Sequence, residues 1–262
     1  MIDMHIHLLP GIDDGSKSMD ETEQMLRMIE EDGIHRVIAT PHFYRGHYEN
    51  NREDVEKLVH RVNEFSVESG INVKLFPAQE VFLDEHTVDE YECHHIAPMA
   101  ETDYMLVELP MIKMPENAMD IVYELKIRGI KPIMAHPERY RYIIENPEKI
   151  NLFVDEGCLL QLNTGSICGK FGNNVKKTAH TLIKNGMCNF IGSDAHSSTR
   201  RRPGLSEAFD IVKNLDEELA KILEQNSEKL LENENIHLCQ ERIKIKRGFF
   251  SFFNRKNQLM NR

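Results

Sequence analysis

The chain has 262 residues, 40% of them hydrophobic and 29% charged, with a formal net charge of −11. That length allows one large domain or two small ones and a core that needs no disulfide framework, and the aliphatic content excludes disorder as the main state. The acidic balance argues against a nucleic-acid coat, which needs positive charge to displace counterions.

Charge is unevenly spread. Residues 241–262 carry seven Lys/Arg and one Glu, a net of +6, which leaves −17 on residues 1–240. Five cysteines, Cys93, Cys158, Cys168, Cys188 and Cys239, form an odd set with no C-x-x-C. Such usage argues against a disulfide scaffold or zinc ribbon and favours a reducing compartment. No stretch reaches the roughly 18 apolar residues of a membrane span. The start, Met-Ile-Asp-Met-His, lacks the basic-then-apolar order of a secretory signal. A cytoplasmic protein is expected.

In chain order, short apolar runs alternate with amphipathic stretches. Strands are predicted at 2–6, 37–39, 73–76, 104–107, 130–135, 158–162 and 189–191. Each is short, and most hold β-branched residues with Gly or Pro nearby. Met19, Thr22, Met25, Leu26 and Ile29 recur at helical spacing, with Gly33 as a stop. Further helices are predicted at 53–68, 117–128, 147–156 and 173–184. The stretch 205–231 reads as two helices, because Asn214-Leu215-Asp216 offers a new N-cap. Long loops are expected at 41–51 and 94–103. The alternation argues an α/β fold with a parallel sheet, in one domain over 1–235 followed by a basic, Phe-rich tail, 236–262.

Nearly every predicted strand ends in, or runs into, a metal-competent side chain: His5 and His7, His42, Glu80, Glu108, His136, then Asp194 and His196. Asp13 and Asp14 follow the first strand. In a parallel (β/α) barrel all strand C-termini open on one face, so these residues would converge. His5 and His7, two apart on a strand, point to one side. Five imidazoles and four carboxylates (His5, His7, Asp14, His42, Glu80, Glu108, His136, Asp194, His196) suit Mn, Fe, Zn or Mg. Nine ligands exceed the needs of one ion and imply two or three. The other eight histidines read as structural or solvated, with His47 the least certain because it follows His42.

The strings D-M-H-I-H-L-L-P-G-I-D-D-G-S, A-T-P-H, P-A-Q-E, V-E-L-P, M-A-H-P-E-R-Y and G-S-D-A-H, in that order, resemble the polymerase-and-histidinol-phosphatase (PHP) superfamily. They are most similar to its manganese-dependent tyrosine-protein phosphatases of bacterial capsule and exopolysaccharide operons. The resemblance implies a distorted seven-stranded, TIM-like barrel with a trinuclear site. It puts His5, His7, Glu80 and Asp194 on a first ion, and Glu80, Glu108 and His136 on a second. Asp14, His42 and His196 would hold the third. It also implies Arg139 as a phosphate-binding residue and a second arginine among Arg200, Arg201 and Arg202, where spacing favours Arg201. A phosphotyrosine-containing protein, in particular a bacterial tyrosine kinase, is the implied partner.

No cysteine has Arg six residues later, which excludes the C-x5-R thiolate mechanism. No G-x-x-x-x-G-K-[ST] loop is present. Two other readings remain open: a small-molecule phosphomonoesterase such as a histidinol-phosphate phosphatase, and a non-catalytic phosphotyrosine-binding module. The tail, with four Phe among its basic residues, suits weak contact with anionic lipid, an unpacked terminus, or packing on the domain or a neighbouring subunit.

Overall fold

The computed structural model describes residues 1–237 and 242–244. Cys239 and nearly all of the basic, Phe-rich tail lie outside the described residues. The chain opens with β1 (Ile2–Ile6), α1 (Met19–Glu31), β2 (Arg36–Ala39), β3 (His42–Tyr44), β4 (Tyr48–Glu49) and α2 (Arg52–Glu68). It continues with β5 (Lys74–Pro77), β6 (Glu80–Phe82), α3 (Thr87–Glu92), β7 (Tyr104–Glu108), α4 (Ala118–Ile127) and β8 (Lys131–Ala135). Next come α5 (Arg141–Glu145), α6 (Ile150–Asp155), β9 (Leu159–Asn163), α7 (Thr164–Cys168) and α8 (Asn173–Lys184). The last elements are β10 (Phe190–Gly192), α9 (Ser206–Leu215) and α10 (Glu217–Leu231).

Each predicted strand is present, within a residue or so of its expected ends. Asp216 caps α10 by accepting from the Leu219 N–H, so the break between the last two helices falls where the sequence put it. Three differences stand out. The stretch 41–51, expected as a loop, holds β3 and an antiparallel partner, β4. The expected helix 147–156 splits into a 3-10 turn, Pro147–Lys149, and α6. The short helices α3, α5 and α7 carry too few turns to show a period, and sequence reading passed over them.

All strand pairs except β3–β4 are parallel. They form two sheets, β1-β2-β5 and β10-β9-β8-β7-β6-β3-β4, rather than one unbroken seven-stranded ladder. The reason is local. Pro41 has no N–H to offer and separates β2 from β3, and Ala78-Gln79 separates β5 from β6. Backbone hydrogen bonds cross both breaks: Ala78 N to Ala39 O (3.0 Å) and Glu80 N to Pro41 O (3.0 Å). At the other edge Asp194 N donates to His5 O (2.7 Å) and His7 N to Ala195 O (2.9 Å). Parallel pairing continues there as a single Ile6–Ala195 bridge.

Both faces of the strands are buried, as a parallel sheet under helices requires. One face packs on the helices through Val37, Met105, Val107, Met134, Leu160 and Ile191. The other gathers Met4, Ile38, Leu106, Ile133, Leu159 and Phe190. Alternation then carries polar groups onto that second face at the strand ends: Tyr104 and Leu106 are followed by Glu108, and Leu159 by Gln161 and Asn163. The site therefore lies above an apolar floor, at the carboxyl ends of the longer strands, where His42 and Glu80 open the short β3 and β6.

The described part of the tail docks on the domain. Ile243 is buried and exchanges two hydrogen bonds with the Asn151 amide (3.0 and 3.1 Å), while Arg242 pairs with Asp155 at 2.7 Å. Among the described residues no helix is long and apolar enough to cross a membrane.

Candidate metal centre

The nine residues singled out by sequence meet in one place. Glu80, at the start of β6, is buried at the centre. Its Oε2 lies 3.3 Å from His5 Nε2, 3.3 Å from His7 Nε2 and 3.1 Å from His42 Nδ1. Its Oε1 lies 3.0 Å from His136 Nε2, which is 3.6 Å from Glu108 Oε1. Asp14 Oδ1 sits between His42 Nε2 (3.5 Å) and His196 Nε2 (3.3 Å). Asp194 Oδ1 faces His7 Nε2 (3.6 Å), His5 Nε2 (3.7 Å) and His196 Nδ1 (3.5 Å).

Local backbone geometry aims these groups. His136 and Asp194 follow β8 and β10 in the left-handed region, with φ of 36° and 51°. That conformation is costly for a residue with a Cβ and marks sites where side-chain direction matters. Asp14 is delivered by a tight turn in which Gly15 N donates to Asp13 Oδ1 (2.8 Å) and Ser16 N to His7 O (3.0 Å). A Cβ on Gly15 would stand 2.1 Å from His7 O, so only glycine fits. His196 N and Ser197 N both donate to Arg201 O, which folds 196–201 back and brings the Arg201 side chain into the cleft.

The donor set fits cations. His7 Nδ1 donates to Asp13 Oδ2 (2.8 Å) and His5 Nδ1 to Gln161 Oε1 (2.9 Å). Each neutral ring then turns an Nε2 lone pair inward, and the two Nε2 atoms are only 3.1 Å apart. Two lone pairs and a carboxylate oxygen within about 3.3 Å of one another, with no donor among them, repel unless a positive charge sits nearby. Three groups have ligand atoms close enough to share an ion: His7, Asp14, His42 and His196; His5, His7 and Glu80; and His42, Glu80 and Glu108. They share members, as a site for several ions does.

The titration behaviour of these groups has the same cause. Burial pulls the His7 pKa down, but without a cation Asp13 and Glu80 carry it well above its ordinary value, so a bound cation would take the place of the second ring proton. Burial would raise Glu80, yet His5 and His42 hold it well below the usual carboxylate range. Burial, with the charges of Glu80 and Asp194, pushes Glu108 up to about 9. Burial and Arg139 lower His136 to about 4, which keeps it neutral and able to ligate.

The cleft above has a volume of about 300 Å³. Arg139 and Arg201 enter it and both donate to Asp194 Oδ2, Arg139 at 2.8 Å. Their guanidinium carbons lie 4.9 and 5.9 Å from the centre of the Phe171 ring. Arg200 and Arg202 stay exposed. Tyr44, Tyr48, Phe82 and Met111 line the cleft as well. Tyr44 stacks on Phe82 at 4.2 Å and on exposed His47 at 4.3 Å, so His47 stands outside the ion cluster.

Sequence reading missed Asp13 as the partner of His7, and also Phe171, Gln161 and Asn163. Gln161 and Asn163 did leave a signal: two amides spaced by two on a strand whose other residues are apolar.

Glu138, two residues after His136, is fully buried, and burial raises its pKa to about 7. Its Oε1 accepts from Asn163 N at 3.0 Å. A raised folded pKa favours the protonated fold. The associated stability is complete below about pH 4.5 and lost as pH climbs to about 7, on the order of 3 kcal/mol. Glu138→Gln keeps the Oε1 acceptor and removes the ionisation. Thermal melts at fixed metal concentration should show the variant gaining on the parent between pH 5 and 8. A gap that does not change with pH would disprove this account.

A parallel α/β scaffold with clustered imidazoles, carboxylates and two arginines at its strand ends defines a metal-dependent hydrolase site for anionic substrates. Sequence comparison narrows the class: residues 1–232 match the family profile described as capsular polysaccharide synthesis, CpsB/CapC. The chain belongs to that family. It is 32% identical over 254 residues to the tyrosine-protein phosphatase YwqE of Bacillus subtilis (strain 168), covering 97% of this chain and 100% of that protein. It is 25% identical over 217 residues to the tyrosine-protein phosphatase CpsB of Streptococcus pneumoniae, covering 81% and 89%. A chain from the crystal structures of YwqE and CpsB, described as unique metal-dependent tyrosine phosphatases, superposes with a TM-score of 0.90. The two are 31% identical, over 94% of this chain and 100% of that one.

Proposed function

We propose that the protein is a metal-dependent protein-tyrosine phosphatase, with residues 1–235 as the catalytic domain. The observation that carries this reading is the meeting of nine imidazole and carboxylate side chains with two cleft arginines, in a chain related to YwqE along its whole domain. His5, His7, Glu80 and Asp194 would hold one ion, Glu80, Glu108 and His136 a second, and Asp14, His42 and His196 a third. Mn is the proposed metal, and the nitrogen–oxygen donor set also accepts Fe, Zn or Mg.

Divalent ions held there lower the pKa of water towards neutrality and offset charge on phosphoryl oxygens. Arg139 and Arg201 supply planar donors for two of those oxygens. Phe171 under both guanidiniums restricts where they swing. The wall of Tyr44, Tyr48, Phe82 and Met111 offers an aromatic and apolar surface to a phenyl ring, which favours a phosphotyrosyl group over a polar metabolite. A phenolate of pKa about 10 leaves more readily than an alkoxide, so general-acid help matters less.

The family and the names of its members support a tyrosine kinase of capsule or exopolysaccharide synthesis as substrate, in the cytoplasm. The basic tail is proposed as a weak contact to the anionic membrane surface near such a kinase.

Parallel assays test the activity. With Mn, a phosphotyrosyl peptide should turn over and histidinol phosphate should not. Chelation should abolish turnover, and Mn should restore it. Preferred hydrolysis of histidinol phosphate would favour the metabolite phosphatase. Peptide binding without turnover would favour a binding module.

A further inference from the structure

Asp194 divides its two carboxylate oxygens. Oδ1 faces the imidazoles of the cluster. Oδ2 accepts from Arg139, Arg201 and the Asn163 side-chain amide, the last at 2.5 Å. Arg139 and Arg201 are partly exposed to the cleft, whereas Asn163 is fully buried. Asn163 Oδ1 accepts from Gln161 Nε2 at 2.9 Å, and Gln161 Oε1 takes the Nδ1 proton of His5 at 2.9 Å. Both amides belong to β9.

The direction of this chain is fixed from one end. A carboxylate accepts and cannot donate, so Asn163 must present its NH2 to Asp194. Its oxygen then faces Gln161, which must present its own NH2 there. The Gln161 oxygen is left for His5, and His5 must donate from Nδ1. Its Nε2 lone pair is thereby turned into the cluster. The neighbouring strand leaves room for the arrangement: a Cβ on Gly192 would lie 2.6 Å from His5 Cβ and 2.9 Å from Gln161 Nε2.

We propose that Gln161 and Asn163 are positioning residues that act as one directional relay, setting the His5 tautomer and aiming Asp194 Oδ1 at the ion those two residues share. The relay also has a role in turnover. When Arg139 and Arg201 swing to phosphoryl oxygens, Asn163 remains as the buried donor that keeps Asp194 in place. The positioning of His5 and Asp194 rests on the cluster being an ion site and is independent of its substrate; the role in turnover rests also on the proposed phosphatase reading.

Equilibrium dialysis against graded Mn tests it without an activity assay. Outer hydrogen-bond partners of metal ligands typically govern affinity by 10–100-fold. Gln161→Met and Asn163→Leu should each weaken one Mn equivalent by about that factor and leave the others bound. Because the two amides form one relay, the double variant should be little worse than either single one. Melting in chelator checks that each variant folds. If the apolar variants do not fold, Gln161→Ser and Asn163→Ser serve instead; each is polar but too short to hold both of its contacts, so each should lose Mn affinity by the same factor. Mn affinity within twofold of the parent in a folded variant overturns the relay. So does a double variant whose loss is the product of the two single losses. A parent that holds none of Mn, Fe, Zn and Mg refutes the ion site itself, and the relay with it.

Discussion

Glu80→Gln is expected to lower kcat/KM for a phosphotyrosyl peptide by more than about 1,000-fold at saturating Mn, a loss of at least about 4 kcal/mol in transition-state stabilisation. The size follows from position. Glu80 brings both of its oxygens within 3.3 Å of four imidazole nitrogens, from His5, His7, His42 and His136. An amide in its place removes the central negative charge. It also turns an NH2 group towards sites where cations should sit. The bound cations would then lose their shared counter-charge, so the variant should also hold less metal. Element-resolved metal analysis beside steady-state kinetics checks both parts. Wild-type turnover with a full metal complement would refute the central role of Glu80.

The placement of Glu80 also marks what the sequence made legible. Its identity was readable because P-A-Q-E follows an apolar run, as His136 and Asp194 follow others. A rule that operates at nearly every strand end can be read one strand at a time. The β5–β6 break that delivers Glu80 was not readable. It depends on Ala78 and Glu80 bonding across to Ala39 and Pro41, contacts between residues far apart in sequence. Short β3 and β4 escaped for the same reason: three and two residues carry no measurable period, and pairing alone makes them strands. The candidate ligands were legible because metals demand particular side chains. Their supports, Asp13, Gln161, Asn163 and Phe171, were harder, because amides, a second carboxylate and a phenyl ring have many ordinary uses. Only the contact geometry separates those uses from this one.

Replacing the cleft arginines should separate phosphate recognition from metal retention. Arg139→Lys and Arg201→Lys each keep a positive charge but lose the planar fork that contacts two oxygens at once. Each should lower kcat/KM about 100-fold, and the two losses should not simply multiply, because both side chains converge on Asp194 Oδ2 and share the Phe171 ring. Metal content should stay at the parental level, because Asn163 still donates to Asp194 Oδ2 from its buried position and Oδ1 still faces the cluster. That pattern is opposite to the one expected for Glu80→Gln, where metal and turnover fall together. Kinetics and metal analysis on the same preparations distinguish the two. Activity within threefold of the parent in both lysine variants would remove the arginines from phosphate binding. Loss of metal in either would mean that the guanidiniums hold Asp194 in place themselves, leaving Asn163 a lesser part.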